Sequence, residues 1–331
     1  MLQHETTPHP VDPAIEPYIE RFRATMEAEG VTIDDARKRY AALLAEQGNP
    51  DGPVRTLDLE IPTRHGAMRA RHYRPANETS ALLFYMHGGG FAVGDLESVD
   101  MVLHTISQRA GIAILSVDYA LAPEHPYPVA LEQCRDALVW ADANRDTLGG
   151  PGPLALGGDS AGGNLTALLS RWAASEGGPR ITWQAVINPV LDFLALDNEI
   201  SGSHALYGAS PMLSTDTMLG FMSSYFPDER SKVEASPLQS AFDDSILPPT
   251  FLAAGQCDAL RDEATAYAHR LAVAGVPISF SVYPGMTHNF ITLTRYTETA
   301  RRFVADFAEQ ARRWAADATS AAAVVPDTTS P

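Results

Sequence analysis

A single serine stands among four glycines in the sequence ALGGDSAGGN at positions 155–164. Residues 158–162 fit the pattern G-x-S-x-G, which is typical of a nucleophilic serine on a sharp turn between a strand and a helix. The glycines leave steric room for the turn, and the start of the next helix favours developing negative charge. The motif therefore predicts nucleophilic chemistry at Ser160, although glycine-rich turns of this kind also bind phosphate groups.

A second glycine-rich motif, HGGGF at 87–91, directly follows the apolar run ALLFYM. Consecutive glycines allow backbone N–H groups to point into a cavity, and acyl transfer needs such donors for the oxyanion of its tetrahedral intermediate. We expect Gly88 and Gly89 to supply two of these donors and Ala161 to supply a third. A flexible loop is the alternative, but it does not explain why both motifs directly follow a strand.

A serine nucleophile needs a base and an acid that orients the base. Where the serine lies in a G-x-S-x-G turn between a strand and a helix, the expected order along the chain is Ser, acid, His. Three of the ten histidines follow Ser160 in the sequence. His204 lies in a long connection and His269 lies in a segment with helical character. His288 lies in a loop just after the apolar run ISFSVYP, so it is the predicted base.

The acid that orients this base should also follow a strand. Asp258 comes shortly after the apolar run TFLAAG, at the same predicted edge of a sheet. Asp262 and Glu263 are close rivals that lie about one turn into the next helix, where a negative charge stabilises the helix N-terminus in any case. We therefore predict that Asp258 is the acid.

Short apolar segments separated by helical stretches must position these residues. The predicted strands are residues 56–62, 67–73, 81–86, 111–118, 154–158, 183–189, 250–255 and 278–284. The first two alternate partly between apolar and polar residues, as antiparallel edge strands do, and the others are continuous apolar runs. The pattern predicts an α/β fold with a mostly parallel eight-stranded sheet and helices on both faces.

Two further segments flank this sheet. Residues 1–53 contain two amphipathic helices, the second with Thr32 as its N-cap and Asp35 three residues later. The catalytic domain is predicted over 54–316, and residues 317–331 are predicted to be a disordered tail. The long connection at 190–249 is interpreted as a helical insertion that caps one end of the sheet.

The apolar side chains of this insertion fit an ordinary core. Phe221, Met222 and Tyr225 are nevertheless candidates for lining an acyl pocket.

Composition excludes several other functions. The 331 residues carry 24 basic and 41 acidic side chains, a net charge of −17 that argues against nucleic acid and anionic membranes. No apolar run is long enough to span a bilayer, and the N-terminus lacks the features of a signal peptide. A cytoplasmic protein with reduced Cys134 and Cys257 is the simplest interpretation, although a disulfide stays open. No spacing indicates a metal or nucleotide site.

Several motifs together resemble one known family. HGGGF, DYALAPEHPYP at 118–128, GDSAGG at 158–163, CDALRDE at 257–263 and the late His288 resemble the bacterial hormone-sensitive-lipase-like family of α/β-hydrolases. The resemblance covers about residues 55 to 316. It implies the α/β-hydrolase fold and a carboxylesterase that acts on a small-molecule ester, with a preference for short acyl chains.

The resemblance also implies roles for particular residues. It implies a triad of Ser160, His288 and Asp258, with an oxyanion hole from Gly88, Gly89 and Ala161. A cap is implied from the N-terminal helices and the 190–249 insertion. No metal or organic cofactor is implied, and a homodimer is left open because members are often dimers.

Two positions depart from the family pattern. Ala120 stands where the family usually has arginine after a tyrosine, so we expect altered support for the following loop. Asn289 stands where a glycine often follows the catalytic histidine, so local packing or the pocket wall should differ.

Other functions stay open at this point. The same triad could cleave an amide or a lactone such as a β-lactam, because the leaving group decides and the pocket is unreadable from sequence. A non-catalytic small-molecule receptor is a further alternative, but such receptors lack triad residues that are present here. A true lipase would favour long chains at an oil interface, and no unusually apolar lid is visible.

Overall fold

The computed structural model describes residues 7–26, 32–45, 52–76, 81–149, 152–197, 200–210 and 212–323. The strands are β1 Val54–Thr63, β2 Gly66–Pro75, β3 Leu82–Met86, β4 Ala113–Asp118, β5 Leu154–Asp159, β6 Ile181–Ile187, β7 Thr250–Gly255 and β8 Ile278–Tyr283. The helices are α1 Glu16–Met26, α2 Ile33–Ala45, α3 Asp100–Ala110, α4 Val129–Ala143, α5 Arg145–Leu148, α6 Ala161–Ser175, α7 Gly202–Tyr207, α8 Thr215–Tyr225, α9 Glu229–Glu234, α10 Arg261–Val273 and α11 Glu298–Ala323.

The eight strands form one sheet in the order β1-β2-β4-β3-β5-β6-β7-β8. Strand β2 is antiparallel to both β1 and β4, and the remaining neighbours are parallel. Each predicted strand is present, and the two alternating segments form the antiparallel end of the sheet. The predicted fold class is therefore confirmed.

Helices cover both faces of this sheet, as continuous apolar strands require. Helices α3 and α11 contribute Leu103 and Phe307 to the hydrophobic cluster on one face. Helices α4 and α6 contribute Leu138 and Leu165 to the cluster on the other face. Because parallel strands end at the same edge, residues that follow β3, β5, β7 and β8 converge there.

Two groups of helices lie at this edge. The first group is the N-terminal pair, α1 and α2. Helix α2 begins with the predicted capping box, in which the N–H of Asp35 donates to Thr32 Oγ1 at 3.2 Å. In return, the N–H of Thr32 donates to the Asp35 carboxylate at 3.4 Å. The second group is α7, α8 and α9, which all lie within the 190–249 connection. Helices α2, α7 and α8 supply residues to the cavity described below.

The last helix extends beyond the predicted end of the catalytic domain. Helix α11 continues to Ala323, so residues 317–323 of the predicted disordered tail are helical. This stretch is rich in alanine, the residue with the highest helix propensity. Residues 324–331 lie outside the described residues. Cys134 and Cys257 are both buried free thiols. Among the helices of the described ranges, none has the length and apolar character that crossing a membrane requires.

Candidate active site

Ser160 occupies the turn between β5 and α6. Its backbone has φ 54° and ψ −116°, which a non-glycine residue rarely adopts and which marks a strained position. The N–H of Ser160 donates to the carbonyl of Ile187 at 2.8 Å, so the turn is fixed to the end of β6. The side chain is thereby raised to the carboxyl edge of the sheet, as the motif predicted.

The two glycines of the G-x-S-x-G motif are needed because a side chain at either position would clash with the backbone. A Cβ atom on Gly158 would lie 2.3 Å from the carbonyl oxygen of Gly162. A Cβ atom on Gly162 would lie 2.0 Å from the carbonyl oxygen of Met86 at the end of β3. These neighbours are backbone atoms of the buried sheet and helix, so they cannot move aside easily.

Replacing Gly162 by alanine is therefore expected to destabilise the protein by about 2–3 kcal/mol. The matched control is Gly220→Ala on α8, where a Cβ atom meets nothing within 4 Å. That change should be neutral or stabilise by up to about 1 kcal/mol, because alanine favours helix more than glycine does. Urea unfolding of both variants checks this, and equal stabilities would contradict the steric account of the turn.

The structure brings the three predicted triad residues together. His288 Nε2 lies 2.9 Å from Ser160 Oγ, and His288 Nδ1 lies 2.9 Å from Asp258 Oδ2. The other carboxylate oxygen, Oδ1, accepts a hydrogen bond from the N–H of Leu260 at 3.0 Å. Asp258 and His288 are buried, with 1% and 6% of their surface exposed, whereas Ser160 is partly exposed. The arrangement can pass a proton between Ser160 and His288.

The rival acids hold the insertion instead. Glu263 lies 2.8 Å from His204 Nε2 and accepts hydrogen bonds from two backbone N–H groups at the start of the 190–249 connection. Asp262 accepts a hydrogen bond from the N–H of Ser203 at 2.9 Å. These contacts join α10 to α7. The sequence predicted only that these carboxylates stabilise the helix N-terminus, and the structure shows that they also bind the insertion.

Burial affects the pKa values of this second acid–histidine pair. Desolvation raises the pKa of the Glu263 carboxyl above its usual range. Burial acts to lower the pKa of His204, but the hydrogen bond and the charge of Glu263 outweigh it, so the pKa of His204 is raised. The pair lines the same cavity as Ser160, but of the two histidines it is His288 that is hydrogen-bonded to Ser160 Oγ.

The structure of the HGGGF loop shows that the prediction of Gly88 as an oxyanion donor was wrong. Gly88 packs against Asp159, so closely that a Cβ atom would lie 2.3 Å from the Asp159 carboxylate. Desolvation raises the pKa of this buried carboxyl, while a hydrogen bond from the N–H of Gly88 opposes the rise. Gly88 is absent from the cavity lining, whereas Gly89 and Gly90 are part of it. Gly88 therefore supports Asp159, and Gly90 is the glycine that sequence reasoning missed.

Three backbone N–H groups near Ser160 are available to donate hydrogen bonds. Within the described ranges, we find no acceptor for the N–H groups of Gly89, Gly90 and Ala161. Gly89 and Gly90 have φ values of 123° and 59°, which are accessible to glycine at little cost. Ala161 is the first residue of α6, where N–H groups lack partners within the helix. Such a set of donors suits a developing oxyanion.

A cavity of about 520 Å³ contains Ser160 and His288 in its wall. Phe221, Met222 and Tyr225, the three predicted pocket residues, all line it. The resemblance implied a cap from the N-terminal helices and the 190–249 insertion, but it did not identify further lining residues from them, which include Phe22, Met26, Ile33, Val190, Phe193 and Leu196. The walls are therefore largely apolar around a polar catalytic centre.

Helix α2 contacts the regions around both departures from the family pattern. Glu124, in the loop after Ala120, accepts hydrogen bonds from both terminal nitrogens of Arg37 on α2, at 2.8 and 2.7 Å. This arginine holds the pKa of the Glu124 carboxyl at about 2. Asn289 adopts a left-handed backbone, and its side-chain amide bonds to Tyr40. The loop that follows Ala120 and the residue that follows His288 thus both contact α2.

Across the described part of the chain, no group of three or more His, Cys, Asp or Glu side chains is arranged to hold a metal ion.

The sheet order, the serine turn and the Ser–His–Asp chain define an α/β-hydrolase. Residues 83–292 match a family model described as the alpha/beta hydrolase fold. The chain is 36% identical over 279 residues to carboxylic ester hydrolase LipN of Mycobacterium tuberculosis, covering 80% of this chain and 73% of that protein. It is 34% identical to ethyl acetate hydrolase of Pseudomonas putida, covering 81% and 86%.

A solved structure agrees with these relatives. The hyperthermophilic esterase from the archaeon Pyrobaculum calidifontis has a TM-score of 0.84 and 32% identity, covering 92% of this chain and 98% of that one. The chain therefore belongs to the α/β-hydrolase family, and its resemblance to the hormone-sensitive-lipase-like members is confirmed.

Proposed function

We propose that this chain is a serine carboxylesterase that hydrolyses short- to medium-chain acyl esters through an acyl-enzyme. The observation that carries the proposal is the hydrogen-bonded chain from Ser160 through His288 to Asp258 in the wall of an apolar cavity. The names of the relatives, which include a carboxylic ester hydrolase and an ethyl acetate hydrolase, support the same activity.

In the first half-reaction, Ser160 Oγ attacks the ester carbonyl carbon while His288 Nε2 takes the serine proton. Asp258 holds the His288 tautomer that has its proton on Nδ1, and it stabilises the imidazolium that forms. The carbonyl oxygen becomes negatively charged and accepts hydrogen bonds from Gly89, Gly90 and Ala161. Each donor of this kind typically lowers the barrier by about 2.7–4 kcal/mol.

The tetrahedral intermediate then collapses. The C–O bond to the alcohol breaks, and His288 gives its proton to the leaving oxygen, so that a neutral alcohol departs. In the second half-reaction, His288 removes a proton from water, which attacks the acyl-enzyme. Collapse of that intermediate returns the proton to Ser160 and releases the carboxylic acid.

The cavity supports a preference for acyl chains of limited length. Its volume of about 520 Å³ must accommodate the alcohol part as well as the acyl chain. Each methylene that enters the cavity and packs against its apolar wall adds about 0.8 kcal/mol of binding free energy until the cavity is filled. A longer chain gains nothing more, because its remaining methylenes stay in water.

We expect kcat/KM on p-nitrophenyl esters to rise from acetate to acyl chains of about four to eight carbons and to fall towards palmitate. Initial rates across the series test this, with Ser160→Ala as the blank. A maximum at palmitate that appears only above its solubility limit would indicate a lipase instead. If no ester of any length is hydrolysed, the proposal fails, and amides and lactones become the substrates to assay.

A further inference from the structure

A tyrosine from the N-terminal helices reaches the residue next to the catalytic base. Asn289 Nδ2 donates to Tyr40 Oη at 3.0 Å, although the two residues are 249 positions apart in the chain. Both side chains line the cavity that contains Ser160. Asn289 directly follows His288, so this hydrogen bond joins α2 to the loop that carries the base.

Asn289 holds an unusual backbone conformation. It has φ 60° and ψ 20°, in the left-handed region that glycine adopts freely and that asparagine tolerates better than most residues do. Its carbonyl accepts hydrogen bonds from the N–H and the hydroxyl of Thr292, at 3.2 and 3.0 Å. Glycine could provide this backbone, but it has no side chain that could bond to Tyr40 as the Asn289 amide does.

Helix α2 presents Tyr40 from a fixed position. Arg37 lies three residues earlier, on the same face of the helix. Its Nε donates to the carbonyl of Ala92 at 2.9 Å, and one terminal nitrogen donates to the carbonyl of Ala122 at 2.9 Å. Ala92 lies two residues after Gly90, so Arg37 fixes α2 to the loop that supplies the oxyanion donors. One face of α2 therefore contacts both the oxyanion loop and the base loop.

We infer that Tyr40 is a positioning residue, which acts through Asn289 to hold His288 Nε2 at hydrogen-bonding distance from Ser160. The inference rests on the proposed function, because it assigns His288 as the base. The Tyr40 hydroxyl is hydrogen-bonded to Asn289. The two ring nitrogens of His288 are bonded to Asp258 and Ser160. The Tyr40 hydroxyl should therefore affect the chemical step more than substrate binding.

Tyr40→Phe removes the hydroxyl and keeps the ring that lines the cavity. We expect kcat to fall about fivefold with little change in KM, the loss typical of one hydrogen bond. Asn289→Gly keeps the left-handed backbone and removes the amide, so its kcat should fall by a similar factor. In the double variant, kcat should equal that of a single variant instead of showing the product of the two losses.

Tyr283→Phe is the matched control. It also removes the hydroxyl of a buried tyrosine, which lies on β8 and donates to Asp306 on α11 at 2.9 Å, and it should leave kcat unchanged. Unchanged kcat in Tyr40→Phe would overturn the inference. Multiplying losses in the double variant would also overturn it, because Tyr40 would then act independently of Asn289.

A second readout separates this inference from the choice of substrate. Diethyl 4-nitrophenyl phosphate reacts with an activated serine. The Ser160 Oγ–P bond forms, 4-nitrophenolate leaves with the bonding electrons, and His288 takes the serine proton. The rate constant of this reaction should fall about fivefold in Tyr40→Phe and in Asn289→Gly. It tests the positioning even if no ester is hydrolysed, and a rate equal to that of the unmodified protein would overturn the inference.

Discussion

Replacement of Ser160 by alanine is expected to lower kcat/KM on p-nitrophenyl butyrate by roughly 10⁴- to 10⁶-fold. The change removes only Oγ, the atom that forms the acyl-enzyme and that lies 2.9 Å from His288 Nε2. The remaining donors of the oxyanion hole can still assist direct attack by water, so a small residual rate should persist. Kinetic assays of the purified variant check the expected loss.

The fold should survive this change. Ser160 already holds a strained backbone at φ 54°, and alanine has the same Cβ atom, so no new strain arises. Ser175→Ala is a matched control on the same helix, because its hydroxyl donates only to the carbonyl of Arg171. It should retain full activity. Urea unfolding should give similar stabilities for all three proteins. More than about 1% residual activity in Ser160→Ala would contradict the nucleophile assignment.

The triad was predictable because each of its residues gives a local signal. Ser160, Asp258 and His288 each follow an apolar strand within a few residues, and parallel strands end at a common edge. Continuous apolar runs predicted these strands, since both faces of the sheet are covered. The position of each residue in the loop that follows a strand was therefore sufficient to predict the triad.

The oxyanion loop was harder to predict because its motif repeats one residue type. HGGGF does not reveal which N–H groups face the cavity, since that depends on the φ angles of Gly89 and Gly90. Gly90 also lies against the ring of Phe221, and a Cβ atom there would lie 2.1 Å from that ring. The first glycine is still covered by Asp159 at the end of the neighbouring strand. These constraints come from chain segments that are distant in sequence.

The particular contacts of α2 were missed for the same physical reason. Tyr40 and Asn289 meet across 249 residues, and Arg37 meets Glu124 across 87. Amphipathic spacing predicted that α2 exists, but it cannot specify the loop on which an amphipathic face packs. The departure at Asn289 was a signal, because an asparagine at a position where the family often has glycine adds a side chain that can make a new contact.

Replacement of Asp258 by asparagine is expected to lower kcat by about 10⁴-fold, through the tautomer of His288. Asp258 Oδ1 accepts from the N–H of Leu260, so the amide oxygen of the Asp258→Asn variant should take that place. The amide NH₂ group then faces His288 Nδ1, where Oδ2 now lies 2.9 Å away. An NH₂ donor requires Nδ1 to be the acceptor, which puts the proton on Nε2. His288 can then no longer accept the proton of Ser160.

Asp262→Asn is the matched control, since Asp262 lies four residues later and bonds to the N–H of Ser203 and to Arg261 instead of His288. We expect it to retain activity within about threefold, with a small loss of stability. Kinetics from pH 6 to 10 should show the Asp258→Asn rate increasing with hydroxide concentration, because an alternative base must replace His288. Equal activities in the two variants would remove Asp258 from the triad. A large loss in Asp262→Asn alone would move the orienting acid to α10.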